Sequence, residues 1–291
     1  MKKYDIAIIG GDKRTACMAQ VFPKKGLRVI TYGIVKAPNH LPRASTFQEA
    51  LGSADILVFG IPFQQNDYVF FESSVPPVAL TELHRCLRKH HRVFGGVIPK
   101  NFKKLCEKRE IACYDFMKDE ALTIFNAIAT AEGAITEAFL HRDTSIHHSH
   151  CLVLGYGRCG MVLADKLRGL NARVTVCSAD QKELARADSL GMNTLPLPRL
   201  HDKIQHFEYL FNTIPAVILR EDCLQAASSE ALIIDIASGL GGVDYEAAER
   251  FFIPAVHCPG LPGKYAGQSS AERLAEFVIQ KISERKDSTL L

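Results

Sequence analysis

The stretch Cys151-Leu-Val-Leu-Gly-Tyr-Gly-Arg-Cys-Gly160 decides how this sequence is read. A short apolar run, Cys151–Leu154, ends in Gly155-x-Gly157-x-x-Gly160. A helix-compatible run from Met161 to Leu170 follows, and Ala172–Cys177 is a second strand-like run. Between a strand and a helix, each glycine has its own task. Gly155 allows the tight turn, Gly157 lets backbone approach a pyrophosphate, and Gly160 lets the helix pack close to the strand. The helix N-terminus faces the negative charge. The pattern predicts a dinucleotide site built on Gly155, Gly157, Arg158, Cys159 and Gly160.

Outward from this unit, the composition is that of a globular protein, with 47% hydrophobic and 23% charged residues. A length of 291 residues leaves room for two domains with separate cores. A net charge of +3 is too small to argue for nucleic acid, and the Arg/Lys clusters at 85–92 and 100–109 read as solvated helix faces. Nine cysteines with no C-x-x-C pair fit reduced thiols. His141, His147, His148 and His150 crowd one polar loop with no firm frame, so no metal site is expected. The first apolar run is too short for a signal peptide, and no stretch approaches the length of a membrane span. The expected location is the cytoplasm.

The first half repeats the strand–helix alternation. Asp5–Ile9, Leu27–Tyr32, Asp55–Phe59, Val93–Phe94 and Ile111–Tyr114 are strand candidates, and Lys13–Phe22 is a helix candidate. Residues 119–141 lack proline, and their apolar positions recur at helical spacing, predicting a long helix. Further strands are expected at 151–154, 173–177, 193–195, 208–212, 231–235 and 252–256, and an amphipathic helix at 271–282. The expected fold is α/β, with two Rossmann-like doubly wound parallel sheets joined by the long helix. Residues 1–130 form the first domain, completed by a C-terminal helix within 271–291, and 131–270 the nucleotide domain. Gly10-Gly11-Asp12-Lys13-Arg14 lacks the third glycine spacing and is not read as a second dinucleotide site.

Ligands of doubly wound sheets collect at the carboxyl ends of the strands, and that rule picks out several residues. After the second strand of the nucleotide domain, Ser178 is placed to receive a 2′-phosphate, with Arg158 and Lys182 as cations; Asp180 is the alternative that would bind ribose hydroxyls. The balance favours NADP over NAD. Asn212 and Thr213 end one buried strand, either close to the expected ribose or nicotinamide or as a simple Asn-Thr turn. Asp235 ends another that runs into Ser238 and glycines, and it either forms a turn or orients the nicotinamide carboxamide. His257 is a candidate acid–base group, because histidine titrates near neutrality; a plain surface histidine is the alternative. Lys264 suits a carboxylate or is simply solvated. Gly133 within the long helix costs about 1 kcal/mol relative to alanine, which points to close packing or ligand approach, with Glu132 facing a cleft.

Six motifs in order resemble the A subunits of the dipicolinate synthases of spore-forming bacteria. They are Gly10-Gly-Asp-Lys-Arg14, Thr130-Ala-Glu-Gly-Ala-Ile135, Gly155-Tyr-Gly-Arg-Cys-Gly160, Asn212-Thr-Ile-Pro-Ala216, Asp235-Ile-Ala-Ser238 and Leu261-Pro-Gly263. The sequence departs from that pattern at Ser178-Ala179, where an arginine is expected, and after Gly263, where a second proline is. The resemblance implies a fold similar to 2-hydroxyacid and alanine dehydrogenases. It also implies formation of dipicolinate (pyridine-2,6-dicarboxylate) for spores, in the mother-cell cytoplasm. The substrate is expected to be dihydrodipicolinate or its hydroxylated tetrahydro precursor, held in a cleft between domains. Partners are expected to be the flavoprotein-like second (B-type) component of dipicolinate synthase and further copies of the chain.

On this view hydride passes to the nicotinamide of NADP or NAD and a base removes a proton. Arg14 is expected to hold one carboxylate and Lys264 the second, with Thr130 and Ser238 as hydroxyl donors and Glu132 as base. Two rivals share the architecture: a 2-hydroxyacid or amino-acid dehydrogenase, and a non-catalytic NAD(P)-binding subunit.

Overall fold

Ile6-Ala-Ile-Ile9 carries no polar side chain, and all four residues are buried, as a strand covered on both faces must be. This is β1 (Ile6–Ile9). The computed structural model describes residues 3–35 and 38–287, which fall into two units, one made of the described residues up to 123 and from 266 onward, the other of 124–265.

In the first unit β1 lies between β2 (Val29–Tyr32) and β3 (Ile56–Phe59), all parallel. A short hairpin, β4 (Gln64–Gln65) and β5 (Tyr68–Val69), turns at Asn66 and Asp67, both at positive φ. This is the backbone of a type I′ turn. β6 (Arg92–Gly95) and β7 (Ala112–Asp115) complete the sheet, in the order β2-β1-β3-β6-β7. The connecting helices are α1 (Lys13–Lys24), α2 (Phe47–Ser53), α3 (Leu80–Cys86) and α4 (Lys100–Lys108). The order reverses between β1 and β3, the switch point at which ligands gather in such sheets.

Helix α5 (Glu120–His141) begins in the first unit and runs through most of its length in the second. The second sheet holds β8 (His150–Leu154), β9 (Arg173–Ser178), β10 (Asn193–Pro196), β11 (Tyr209–Asn212), β12 (Leu232–Asp235) and β13 (Ala255–His257). Its order is β10-β9-β8-β11-β12-β13, that of nucleotide-binding doubly wound sheets. α6 (Arg158–Gly169), α7 (Gln181–Ser189), α8 (Leu200–Lys203), α9 (Glu221–Ala226), α10 (Tyr245–Arg250) and α11 (Leu261–Tyr265) cover it. α12 (Gly267–Asp287) returns to the first unit, where Ala271, Leu274 and Val278 join Met18 and Phe22 of α1 in one core.

One strand boundary moves, and two local features become visible. The last strand starts at Ala255, because Phe252 takes a positive φ and stands exposed in a turn. The Pro/Gly segment after His257 is not all loop, since Leu261–Tyr265 is helical. α5 runs unbroken through Thr130–Gly133. A Cβ on Gly133 would stand 2.8 Å from the Leu261 Cβ, so the glycine serves close packing of α11. Among the described residues, no helix is long and apolar enough to cross a membrane. Among the same residues, no three His, Cys, Asp or Glu side chains converge as metal ligands.

Candidate functional site

The switch point of the second unit lies between β8 and β11, and the glycine motif sits on it. Gly155 has φ +86°, and its N–H donates to the Cys177 carbonyl. A Cβ on Gly160 would fall 2.1 Å from the Gly155 carbonyl oxygen, so only glycine lets α6 start this close to β8. Gly157 differs: a Cβ there would meet nothing within 4 Å. Gly157 is the N-cap of α6 and makes no side-chain capping bond, so the amides opening α6 have no side-chain acceptor at the cap. A cradle open at Gly157 and closed at Gly160 is what a bound pyrophosphate needs. Thr213 fixes its far wall by donating its hydroxyl to the Leu154 carbonyl at 2.8 Å. Arg158 is exposed on the first turn, and Cys159 is half-buried behind it. Burial pushes the Cys159 thiol above its ordinary value, with hydrogen bonding to Thr130 acting against it.

Asn212 and Asp235 end neighbouring strands and are both fully buried. Asp235 accepts from the Asn212 amide, the Ala237 and Gly242 N–H groups and the Tyr245 hydroxyl. Asn212 in turn bonds both backbone groups of Ile214. Burial, then the bond to Asp235, pushes the Tyr245 hydroxyl well above its ordinary value. These two residues shape the loops at the crevice from beneath.

Most other candidates of this unit have partners within the protein. The Thr130 hydroxyl donates to the Asn126 carbonyl one turn back. Glu132 is exposed and paired with Lys166 at 2.9 Å. Lys264 reaches the carboxylate of Glu137 at 2.5 Å, and the Tyr265 hydroxyl bonds the same oxygen at 3.0 Å. Burial tends to raise the Glu137 carboxyl, but hydrogen bonds and charge from Lys264 and Tyr265 outweigh it and hold it below its ordinary value. His257 Nε2 lies 3.1 Å from the Ala237 carbonyl, which can only accept, so that nitrogen carries the proton. Ser238 stands exposed beyond β12.

In the first unit, Gly10 and Gly11 take positive φ at the end of β1, and Asp12 caps α1 through the Arg14 N–H. Arg14 is buried; its guanidinium grips Asp12 through Nε and Nη2, and Nη2 also donates to the Ile61 carbonyl. Gly11 and Gly60 pack so closely that a Cβ on Gly60 would stand 2.4 Å from the Gly11 Cα.

Glu137, Tyr245 and Glu183 carry weight that sequence reasoning missed. For Glu137 and Tyr245 nothing local marks the residue, because Glu137 meets Lys264 far along the chain and Tyr245 reaches back to Asp235 across a turn the sequence does not place. Glu183 had a signal, the spacing Asp180-x-x-Glu183 of a capping box at the start of α7.

The fold places the chain among two-domain α/β proteins of dehydrogenase architecture. An alanine dehydrogenase superposes with a TM-score of 0.58 at 11% identity, covering 94% of this chain and 87% of that one. Residues 5–117 match the sequence model of the N-terminal domain of the dipicolinate synthase A subunit. The dipicolinate synthase A subunit of Bacillus subtilis (strain 168) is 28% identical over 96% of both chains. Crystal structures of the same protein from Bacillus halodurans and Bacillus subtilis superpose with TM-scores of 0.83 and 0.82, both at 26% identity. The first covers 96% of this chain and 97% of that one, the second 99% and 98%. Over nearly its whole length the chain is thus similar to dipicolinate synthase A subunits, and residues 5–117 carry the N-terminal domain of that subunit.

Proposed function

We propose that the chain is an NAD(P)-dependent oxidoreductase that forms dipicolinate from dihydrodipicolinate or its hydroxylated tetrahydro precursor. The observation that carries this is the cradle at the β8–β11 switch point, open at Gly157 and closed at Gly160. The names of the relatives supply the substrate class. A nicotinamide nucleotide, when bound, accepts hydride from the ring carbon of the substrate. The amides opening α6 hold the diphosphate, and Thr213 with Asn212 fixes the strand ends beside it. His257, with Nε2 donating to Ala237, has Nδ1 left as the nitrogen able to take a proton. Arg14 binds one substrate carboxylate, its position set by Asp12 and the Ile61 carbonyl. From dihydrodipicolinate, loss of hydride and a proton gives the aromatic pyridine, whereas the hydroxylated tetrahydro precursor must first lose water to reach that dihydro level; in either case the protein mainly has to orient ring and cofactor.

The same reading includes a flavoprotein-like partner protein, self-association, and action in the mother cell during sporulation. The test is direct. Purified chain, precursor and either nucleotide should give pyridine absorbance together with reduced cofactor. Heat of binding with neither NAD(H) nor NADP(H) would overturn the reading, whereas binding without turnover would favour the non-catalytic rival.

A further inference from the structure

Glu183 occupies an unusual place for a residue at capping-box spacing. In an ordinary box the glutamate reaches back to the backbone N–H at the cap. Helix α2 follows that habit closely: Thr46 accepts from the Glu49 N–H, and Glu49 accepts from the N–H of Ser45, one residue before the cap. At α7 the cap residue Asp180 instead donates its N–H to Ser178 Oγ at 3.0 Å. Glu183, relieved of that task, turns its Oε2 to two other donors. Ser178 Oγ, at the carboxyl end of β9, donates at 2.6 Å. The N–H of Tyr156, between the first two glycines of the motif, donates at 3.1 Å. The carboxylate thus spans the notch between the glycine turn and the second strand of the sheet. That notch is where a dinucleotide on this fold places its adenosine ribose.

We propose that Glu183 selects the nucleotide, receiving the adenosine 2′-hydroxyl and excluding a 2′-phosphate, so that the chain prefers NAD(H) to NADP(H). The inference rests on the nucleotide-binding role proposed above and deepens it. Ser178 has its proton committed to Glu183, so it has no donor for a phosphate while that bond stands. A 2′-phosphate at the notch sets a doubly charged group against a carboxylate held in place from two sides, and like charges in contact discriminate strongly. A ribose hydroxyl is an O–H donor, and the carboxylate has acceptor sites beyond the two bonds it already receives. This reverses the preference for NADP that Ser178 with Arg158 and Lys182 suggests in the sequence.

The test is equilibrium titration of the full chain with NADH, NADPH and NADH lacking the adenosine 2′-hydroxyl, repeated on Glu183→Gln, with thermal unfolding as a fold control. The expected result for the wild type is NADH tighter than NADPH by about tenfold or more, and weakened roughly tenfold by loss of the 2′-hydroxyl. In Glu183→Gln the NADH:NADPH ratio should collapse toward unity. NADPH binding as tightly as NADH to the wild type, or an unchanged ratio in a folded variant, overturns the inference. The 2′-deoxy arm tests the native protein even if the variant fails to fold. Failure of both nucleotides to bind the wild type is a different outcome and overturns the proposed function itself.

Discussion

The side-chain amide of Asn212 donates to the carboxylate of Asp235 at 2.9 Å, tying together the last residues of two adjacent parallel strands. Asp235 is fully buried and receives three more hydrogen bonds, two from the loop that follows and one from Tyr245 at the start of α10. A buried charge satisfied from four directions is costly to disturb, because its removal strands the donors. Asp235→Ala should therefore cost about 3–5 kcal/mol of unfolding free energy. Asp235→Asn keeps the shape but sets an NH2 against N–H donors, and should cost about 2 kcal/mol. Chemical denaturation measures both. A loss below about 1 kcal/mol for the alanine variant contradicts this account.

Gly157 and Gly160 stand three residues apart and should respond in opposite ways. Gly157 has φ −72° and ψ −165°, a backbone any residue adopts, and a side chain there meets open space. Gly157→Val should change stability by no more than about 0.5 kcal/mol, yet weaken NADH binding by at least about tenfold. Gly160→Ala drives a methyl into the Gly155 carbonyl and should cost about 2–3 kcal/mol whether or not nucleotide is present. Calorimetric binding together with thermal unfolding separates the two effects. If Gly157→Val bound NADH normally, the diphosphate would not rest on this turn.

These contrasts explain which features were legible in the sequence. The glycine turn could be read because glycine reports backbone geometry directly, and strands such as Tyr209–Asn212 because four buried residues in parallel pairing must be apolar or internally satisfied. The long helix 119–141 was legible from its period, and the structure has it at Glu120–His141. What escaped depends on partners distant in sequence. Glu137 gains its meaning from Lys264, 127 residues away. Lys264 looks free in the sequence and is paired in the fold. Glu183 had a capping signature, but its bond to Tyr156 depends on β8 and β9 being neighbours. Phe252 shows the same limit at a boundary, because an aromatic residue gives no sign that its φ will be positive.

Glu137 makes a pH prediction. Its carboxyl is held below the ordinary 4.5, mainly through Lys264 and Tyr265 acting against burial. A depressed carboxyl stabilises the fold above its unfolded value, and that contribution fades as pH falls through the folded value. Lys264 is raised by the same pair, so its contribution is complete below the ordinary 10.5 and fades above it. The pair is therefore intact across neutral pH. Lys264 is more than half exposed, and solvent screens part of the interaction. Glu137→Gln should then cost about 1–2 kcal/mol at neutral pH. The gap from wild type should narrow as pH drops below the ordinary carboxylate value. Melting temperatures of the two proteins from neutral pH to about pH 3 decide it. A gap of constant size would mean packing, not charge, is lost.

Arg14 and Asp12 make the last prediction. Arg14 is only 4% exposed, and Asp12 holds its guanidinium at 2.7 Å, so much of its charge is answered within the loop. A substrate carboxylate binding there competes with that of Asp12. Asp12→Asn keeps an N-cap acceptor for the Arg14 N–H, since Asn caps helices about as well as Asp. It removes the competing charge. The variant should bind dipicolinate about three- to tenfold more tightly, roughly 0.6–1.4 kcal/mol, with nucleotide affinity unchanged. Arg14→Ala should lose dipicolinate binding and also destabilise the fold, because it opens a void beside Asp12 and the Ile61 carbonyl. Titration with dipicolinate distinguishes the two variants. Weaker binding by Asp12→Asn would mean that the dicarboxylate is anchored elsewhere and that Arg14 serves the β1–α1 turn alone.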